Sequence, residues 1–375
     1  MARRLAATPR LNVLSVFDKK TVLVTGHTGF KGSWLSMWLT DLGARVVGVS
    51  RDVPTEPSHF EAIGLAELVE DVRLDIDDFA RLRDAIHETR PDFVFHLAAQ
   101  ALVRRSYAAP LETFVTNAIG SAHVLEALRS VDWPVTMVMI TSDKAYDNVE
   151  TAGSYREGDR LGGRDPYSAS KAMAELVTRA YVASFLQSPA SGVRVVIGRA
   201  GNVIGGGDWA ADRIVPDCVR AWSQGAAIDV RHPCATRPWQ HVLESLSGYL
   251  TLAARASIDA TLHGEAFNFG PPSEENHTVR ELIAEIGAHW SGARSNEIPA
   301  AGQELHEARQ LRLNCEKAHR VLRWQATFDF RAAVRVTAAW YEAFYGGHAM
   351  RPITRAQIRD YTRAARTQGQ RWAAA

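Results

Sequence analysis

Cysteine is scarce. Cys218, Cys234 and Cys315 are the only three in 375 residues, widely spaced and odd in number. That argues against a disulfide framework and a cysteine-rich zinc site, and it fits reduced thiols in a cytosol; no metal is expected. No uninterrupted apolar run is long enough to span a bilayer, so no membrane partner is expected. An excess of one charge sign is also missing, because 43 Lys and Arg offset 42 Asp and Glu to leave a formal net charge of +1. Without a basic field or a recognition motif, nucleic acid is not an expected partner, whereas small anionic ligands remain open. Internal repeats and low-complexity tracts are absent. Residues 1–17 carry arginines but no apolar core followed by a cleavage site, and are read as an extension rather than a targeting segment.

What is present is enough apolar material, 46% of the chain, to bury a full core. The stretch TVLVTGHTGFKG at 21–32 organises the rest. Thr21 to Thr25 fits a buried parallel strand, Gly26, Gly29 and Gly32 follow at G-x-x-G-x-x-G spacing, and Trp34 to Leu42 is apolar-periodic. A strand turning at once into a helix leaves unpaired N–H groups at the helix start, and glycines let a dinucleotide pyrophosphate approach them. The bland alternative is a plain tight turn. Gly43 ends the helix and Arg45 to Ser50 reads as a second strand, which favours the nucleotide reading.

Further strands are expected at Glu70 to Asp75, Phe93 to Leu97, Val135 to Ile140 and Val193 to Ile197, alternating with helices at Phe79 to Glu88, Leu111 to Leu128 and Ala172 to Phe185. This series predicts an α/β fold, a Rossmann-like doubly wound parallel sheet with a smaller, mixed C-terminal substrate lobe. The domains are expected at 18–198 for the dinucleotide-binding part with the catalytic residues, and 199–349 for a lobe that partly crosses back. Within that lobe Ile214 to Ser223, His241 to Ala254, Thr278 to Trp290 and Cys315 to Leu322 read as helices, and Ala332 to Tyr345 as the last one. The basic stretch at 350–375 is read as a tail with no legible partner.

Asp52, about twenty residues beyond the last glycine, stands where a carboxylate binds an adenosine ribose, and Asp75 past the third strand either accepts from an adenine amino group or is a solvated turn acid. Arg51 beside Asp52 instead suits the extra phosphate of NADP, and His27 and Lys31 add possible positive charge to the loop, so NAD is a preference. Asn117 either faces water or orients a strand end beside the site.

Thr141, Ser142, Asp143 and Lys144 begin where the fifth apolar strand stops, at the carboxyl edge where open α/β sheets place ligands. Tyr167 and Lys171, four apart behind Pro166, share one helix face. A cation near a phenol lowers its pKa, so Tyr167 is expected to take an alcohol proton, with Ser142 or Thr141 holding the reacting oxygen and Lys171 also binding the cofactor ribose.

The chain resembles the extended short-chain dehydrogenase/reductase family of nucleotide-sugar enzymes, and within it the dehydratase branch acting on cytidine-diphosphate hexoses. The carrying stretches are GHTGFKGSW at 26–34, HLAAQALVRRSY at 96–107, TSDKAY at 141–146, DPYSASK at 165–171, GNVIGGGDW at 201–209, RPWQHVLE at 237–244 and HEA at 306–308. The glycine loop and Tyr167 with Lys171 are general; the TSDK, GGGDW and RPWQHV stretches are narrower. The resemblance implies that NAD is reduced and re-oxidised within each turnover, while water leaves across C5 and C6 of the hexose to give a 4-keto-6-deoxy sugar. It implies that Asp143 protonates the departing C6 hydroxyl, that Phe30, Ile76, Ala98 and Ala99 complete the cofactor set, and that Asn202 and Arg237 meet the sugar-phosphate and pyrophosphate. Arg104 is a further substrate candidate, and Asp208 and Trp209 either shape the nucleotide pocket or are a capping aspartate and a packing indole. Relatives carry an Asp-Glu pair whose Glu is the C5 base, and this chain has Asp143-Lys144. Lys144 serves as base only with a pKa brought toward neutrality, and otherwise aids an enolate electrostatically. A nucleotide-sugar 4-epimerase, or a dehydratase of another nucleotide sugar, is the alternative. The helices at 111–128 and 172–185 pair across a two-fold axis in that family, which implies a homodimer or a higher homo-oligomer.

Overall fold

The computed structural model describes residues 13–149, 153–188, 191–272, 274–299 and 311–374. Seven parallel strands form the main sheet: β1 (Thr21–Thr25), β2 (Arg45–Ser50), β3 (Glu70–Arg73), β4 (Phe93–His96), β5 (Val135–Ile140), β6 (Val193–Ala200) and β7 (Ala266–Phe269). Their order is β7-β6-β5-β4-β1-β2-β3, doubly wound about β1 and β4. Both faces are dry, which is why the strands read as continuous apolar runs. Leu23, Val94, Met137 and Val195 pack into one layer, and their neighbours Val24, Phe95, Val138 and Val196 into the other.

The layer around Leu23 is built by α2 (Phe79–Thr89), α3 (Gly120–Arg129) and α4 (Pro166–Tyr181). The segment Val115–Ile119 ahead of α3 is a π-helical turn, and it carries Asn117 inward. The opposite layer begins with α1 (Phe30–Asp41) and is completed from the C-terminal half by α6 (Val242–Ile258). That helix and β7 are the parts that cross back. The smaller lobe has α5 (Ile214–Ser223), α7 (Val279–Gly287) and three short strand pairs, Val203–Ile204 with Gln240–His241, Thr236–Arg237 with His277–Thr278, and Ile228–Val230 with Ser295–Glu297.

Two expectations about the ends change. Val13–Phe17, assigned to an extension, forms a 3-10 turn whose Phe17 ring packs 4.8 Å from the Phe93 ring. Ala332 to Tyr345 belongs to α8 (Phe330–Tyr345), but α9 (Met350–Thr367) follows it. The basic stretch is an amphipathic helix: Met350, Thr354, Ile358, Tyr361 and Ala365 are buried, with the arginines between them turned outward or into ion pairs.

Candidate active site

The glycine turn is built for close approach. Gly26 has φ +78°, and a Cβ on it would lie 2.7 Å from the Ala98 amide nitrogen, while one on Gly32 would lie 2.0 Å from the Gly26 carbonyl oxygen. The first turn of α1 has Gly29 as its N-cap and no side-chain cap, so its N–H groups are left for a ligand. Ala98, just beyond β4, walls this cradle, and Ala99 follows it in the chain. The arrangement fits a dinucleotide pyrophosphate.

Two charged candidates of the loop lie elsewhere than expected. The His27 ring turns inward, its Nδ1 2.9 Å from Ser50 Oγ and its Nε2 3.0 Å from Asp71, in space that Gly48 leaves open. Burial lowers its pKa, so it is a neutral tie between the loop and β2 rather than a phosphate cation. Lys31 extends away from the loop, its Nζ 5.9 Å from the Tyr249 ring centroid, and shares a charged chamber with Arg213, Asp143, Lys171 and Asp208. Burial is the main reason that its pKa falls to about 8. Phe30 packs toward Gly205.

At the adenosine end, Arg51 donates to Asp52 at 3.1 Å and to Asp75 at 3.4 Å. Two carboxylates therefore already compensate the guanidinium that might have greeted an extra phosphate. Asp52 is exposed and Asp75 half-buried, while the Ile76 side chain lies in the core against Gly120.

The catalytic candidates converge at the C-terminal ends of β5 and β6 and the first turns of α4. Asp165 caps α4 by accepting the Ser168 N–H at 2.9 Å, which sets Tyr167 and Lys171 on the face toward the sheet. Asn117 braces that turn, donating to Ser170 Oγ at 2.8 Å and accepting the Gln100 N–H at 2.8 Å. It orients the strand end, the second of the two roles considered for it. Ser142 lies beside Tyr167 and donates to Asp143 Oδ1 at 2.8 Å. Ser142 also caps the short turn Asp143–Ala145 that carries half-buried Lys144. Thr141, the other hydroxyl considered, donates to Glu175 at 2.7 Å and is thereby committed to the core.

The expected lowering of the phenol does not prevail. Burial pushes Tyr167 up to about 12, against the polar neighbour Ser142 and the positive charge of Arg213, while burial brings Lys171 down to about 8.

The substrate candidates divide. Arg237 is buried, with Nη1 donating to the Thr236 carbonyl at 2.8 Å, and Asn202 lies half-buried where its carbonyl accepts the Gln240 N–H at 3.0 Å. Asp208 accepts from Arg213 at 2.7 Å and from the Ala210 N–H at 3.1 Å. Trp209 points away, into the aromatic cluster of Trp340, Tyr341 and Phe344, so it is a packing indole. Arg104 is exposed and lies 3.5 Å from Asp212. The HEA stretch at 306–308 lies outside the described residues.

Three participants escaped the sequence reading. Glu175 is one turn beyond Lys171, so its signal was the continued spacing of four. Arg213 and Arg199 carried no local signal, because only folding brings them to the site. Among the described residues no group of three or more His, Cys, Asp and Glu is placed to hold a metal ion, and no helix is long and apolar enough to cross a membrane.

Comparison with known proteins matches residues 23–337 to the family described as GDP-mannose 4,6 dehydratase. A CDP-glucose 4,6-dehydratase of Salmonella typhimurium is 44% identical over 349 residues, covering 92% of this chain and 97% of that protein. Among solved structures, epimerase Mth375 of Methanothermobacter thermautotrophicus superposes with a TM-score of 0.74 at 24% identity, covering 90% of this chain and 96% of that one. The dTDP-glucose 4,6-dehydratase of Bacillus anthracis, solved in complex with NAD, superposes with a TM-score of 0.72 at 21% identity, covering 89% and 99%.

Proposed function

The chain belongs to the GDP-mannose 4,6-dehydratase family, and from that membership we propose that it is an NAD-dependent CDP-glucose 4,6-dehydratase, converting CDP-glucose to CDP-4-keto-6-deoxyglucose and water. The observation that carries the reading is the carboxyl of Asp143, buried and hydrogen-bonded to Ser142 beside Tyr167. An alcohol–ketone interconversion alone, as in an epimerase, needs no such acid. The 44% identity to a CDP-glucose enzyme supports the choice of nucleotide and sugar.

NAD, when bound, supplies a two-electron store that is filled and emptied within one turnover. The chain's own groups then have separate tasks. Gly26, Gly29 and Gly32 with the uncapped turn of α1 hold the pyrophosphate, and Asp52 and Asp75 take the adenosine end. Lys171 binds the ribose beside the reacting centre. Tyr167 takes the proton of the hexose C4 hydroxyl while Ser142 holds that oxygen, Asp143 gives a proton to the C6 hydroxyl as it leaves, and Lys144 is the candidate base at C5. Arg237 and Asn202 hold the diphosphate side, with Arg237 suited to bidentate pairing.

A surface feature supports a contact between copies of the chain. Leu111, Ile119, Met173, Leu176 and Phe185, from the segments leading into α3 and from α4 with the turn that extends it, are large exposed apolar side chains on one side of the molecule. Such a patch fits a two-fold contact between copies of the chain.

Purified protein incubated with NAD and a panel of nucleotide hexoses tests the activity, with products identified by NMR. A 4-keto-6-deoxy product formed fastest from CDP-glucose is expected. CDP-galactose as the sole product would overturn the dehydratase reading, and preference for another nucleotide would overturn the substrate.

A further inference from the structure

Gln240, from the RPWQHV stretch, has no part in the chemistry assigned so far. The strand order β7-β6-β5 sets three residues side by side at the carboxyl edge of the sheet: Gln240, tied to the end of β7, then Gly201 just past β6, then Asp143 just past β5. The Gln240 Nε2 donates to the Phe269 carbonyl at 3.0 Å, which fixes the amide. Its Oε1 is buried, and among the described residues it has no hydrogen-bond partner. A buried acceptor is costly to leave unmatched, so a donor is its complement.

Gln240 and Gly201 line a pocket of about 10 Å³, room for one water and too little for a sugar ring. The rest of the lining is glycine, proline and leucine, apart from half-buried Arg312, which can only donate. A group that donates to the Gln240 oxygen and accepts from the guanidinium suits such a pocket. A water or a hydroxyl does both, whereas an ionised diphosphate only accepts. Gly201 also adjoins the acid of the reaction. A Cβ on it would lie 3.1 Å from Asp143 Oδ2, while the other oxygen, Oδ1, takes the hydrogen bond from Ser142. The carboxyl oxygen nearest the pocket-lining glycine is thus the one that Ser142 does not engage.

We propose that Gln240 accepts the hydrogen bond of the hexose C6 hydroxyl and that the pocket beside it receives the water formed there. This rests on the dehydratase reading above and extends it by a residue that selects the leaving group. Before elimination the C6 O–H donates to Gln240 Oε1, which turns a lone pair of that oxygen toward Asp143. In the step itself the Asp143 carboxyl O–H bond breaks and its proton joins the C6 oxygen. The C5–H electron pair, whose proton the C5 base takes, becomes the second C5–C6 bond, and the C6–O pair leaves with the oxygen. The product water still donates to Gln240, and the amide neither gains nor loses a proton. Drawing the oxygen into the pocket clears C6 for the step that completes the turnover.

The test compares two leaving groups that give the same product. CDP-glucose loses a hydroxyl that can donate to Gln240, and CDP-6-fluoro-6-deoxyglucose loses fluoride, which has no proton to offer. In single turnovers of the NAD-loaded enzyme the absorbance of reduced cofactor rises with C4 oxidation and falls once elimination has occurred, so the rate of the fall reports elimination. Gln240→Met keeps the length of the side chain and removes the acceptor. It is expected to lower the ratio of the two falling rates, hydroxyl over fluoride, by about tenfold. An unchanged ratio, including equal losses with both sugars, overturns the proposal. A second measurement needs no variant: loaded with NADH, the parent enzyme binds both sugars without turnover, and CDP-glucose is expected to bind about tenfold more tightly, because fluorine sets acceptor against acceptor. Equal affinities overturn the proposal as well. Failure of the parent enzyme to make any 4-keto-6-deoxy product from CDP-glucose would overturn the underlying dehydratase reading instead.

Discussion

Glu175 on α4 and Arg199 on β6 form an ion pair with both side chains fully buried, beneath the catalytic residues. The Arg199 Nε donates to the Glu175 carboxylate at 2.7 Å, its Nη2 donates to the second oxygen, and its Nη1 donates to the Tyr146 hydroxyl at 2.6 Å. Thr141 donates to the same carboxylate. The pair therefore couples the helix that carries Tyr167 and Lys171 to the strand end that carries Ser142 and Asp143. Removing one partner leaves the other charge buried and uncompensated. Glu175→Ala is expected to cost about 3–5 kcal/mol in urea unfolding, and the double change Glu175→Ala with Arg199→Met to recover much of it. Equal losses in the single and double variants would count against an uncompensated charge as the cause.

The cofactor cradle has almost no tolerance for a side chain at Gly32, where a Cβ would meet the Gly26 carbonyl oxygen at 2.0 Å. Gly32→Ala is expected to lower NAD affinity by about 100-fold or more, read by titration of bound cofactor. Undiminished NAD affinity would refute this placement of the pyrophosphate.

Tyr167→Phe keeps the ring and removes the proton carrier. A fall in kcat of about 10²–10⁴-fold is expected, with CDP-glucose and NAD affinities within a few-fold of the parent. A change confined to KM would assign the phenol to binding.

The apolar patch predicts its own test. Leu176→Glu places a charge among Leu111, Met173 and Phe185, and is expected to convert the proposed dimer to monomer in sedimentation velocity without lowering the melting temperature of the monomer unit. A parent protein that is itself monomeric at micromolar concentration would remove the proposed contact.

Stability should decline in acid. Burial brings His59, His96 and His241 from an ordinary 6.5 down to about 3. Below about pH 6.5 the unfolded chain takes up protons that the folded chain refuses, so stability falls as pH falls toward 3. Glu244, raised from 4.5 to about 7 by burial, acts in the opposite direction between those values, one carboxyl against three rings. Melting temperatures measured from pH 7 to pH 4 are expected to fall, and a flat or rising series would contradict neutral buried imidazoles.

The sheet was legible because strands buried on both faces are written as apolar runs, and the glycine turn because a close approach leaves no choice of residue. Tyr167 and Lys171 were legible by helical spacing. Side-chain direction out of a loop was not. His27 and Lys31 sit four residues apart in one stretch, yet one ring turns down into the gap over Gly48 and the other side chain runs across to Tyr249. Neither choice is local. Trp209 follows an acidic residue in a glycine-rich loop, a setting that suggests a ligand pocket, but Trp340 and Phe344 arrive from a helix more than a hundred residues later. In the stretch beyond residue 350, frequent arginines obscured a spacing of apolar positions that the finished helix buries.

The packing of α9 sets the order in which the molecule can be completed. Tyr361 meets Trp38 edge-on at 5.9 Å, Arg355 donates to Asp41 at 2.8 Å, and Arg351 donates to the Ile63 carbonyl at 2.7 Å. The helix that follows the glycine turn leaves the ribosome long before α9, which covers its outer face. A nascent chain holding every catalytic residue still displays Trp38 until α9 emerges, so synthesis that stalls before residue 350 leaves an adhesive surface on an otherwise assembled cofactor domain.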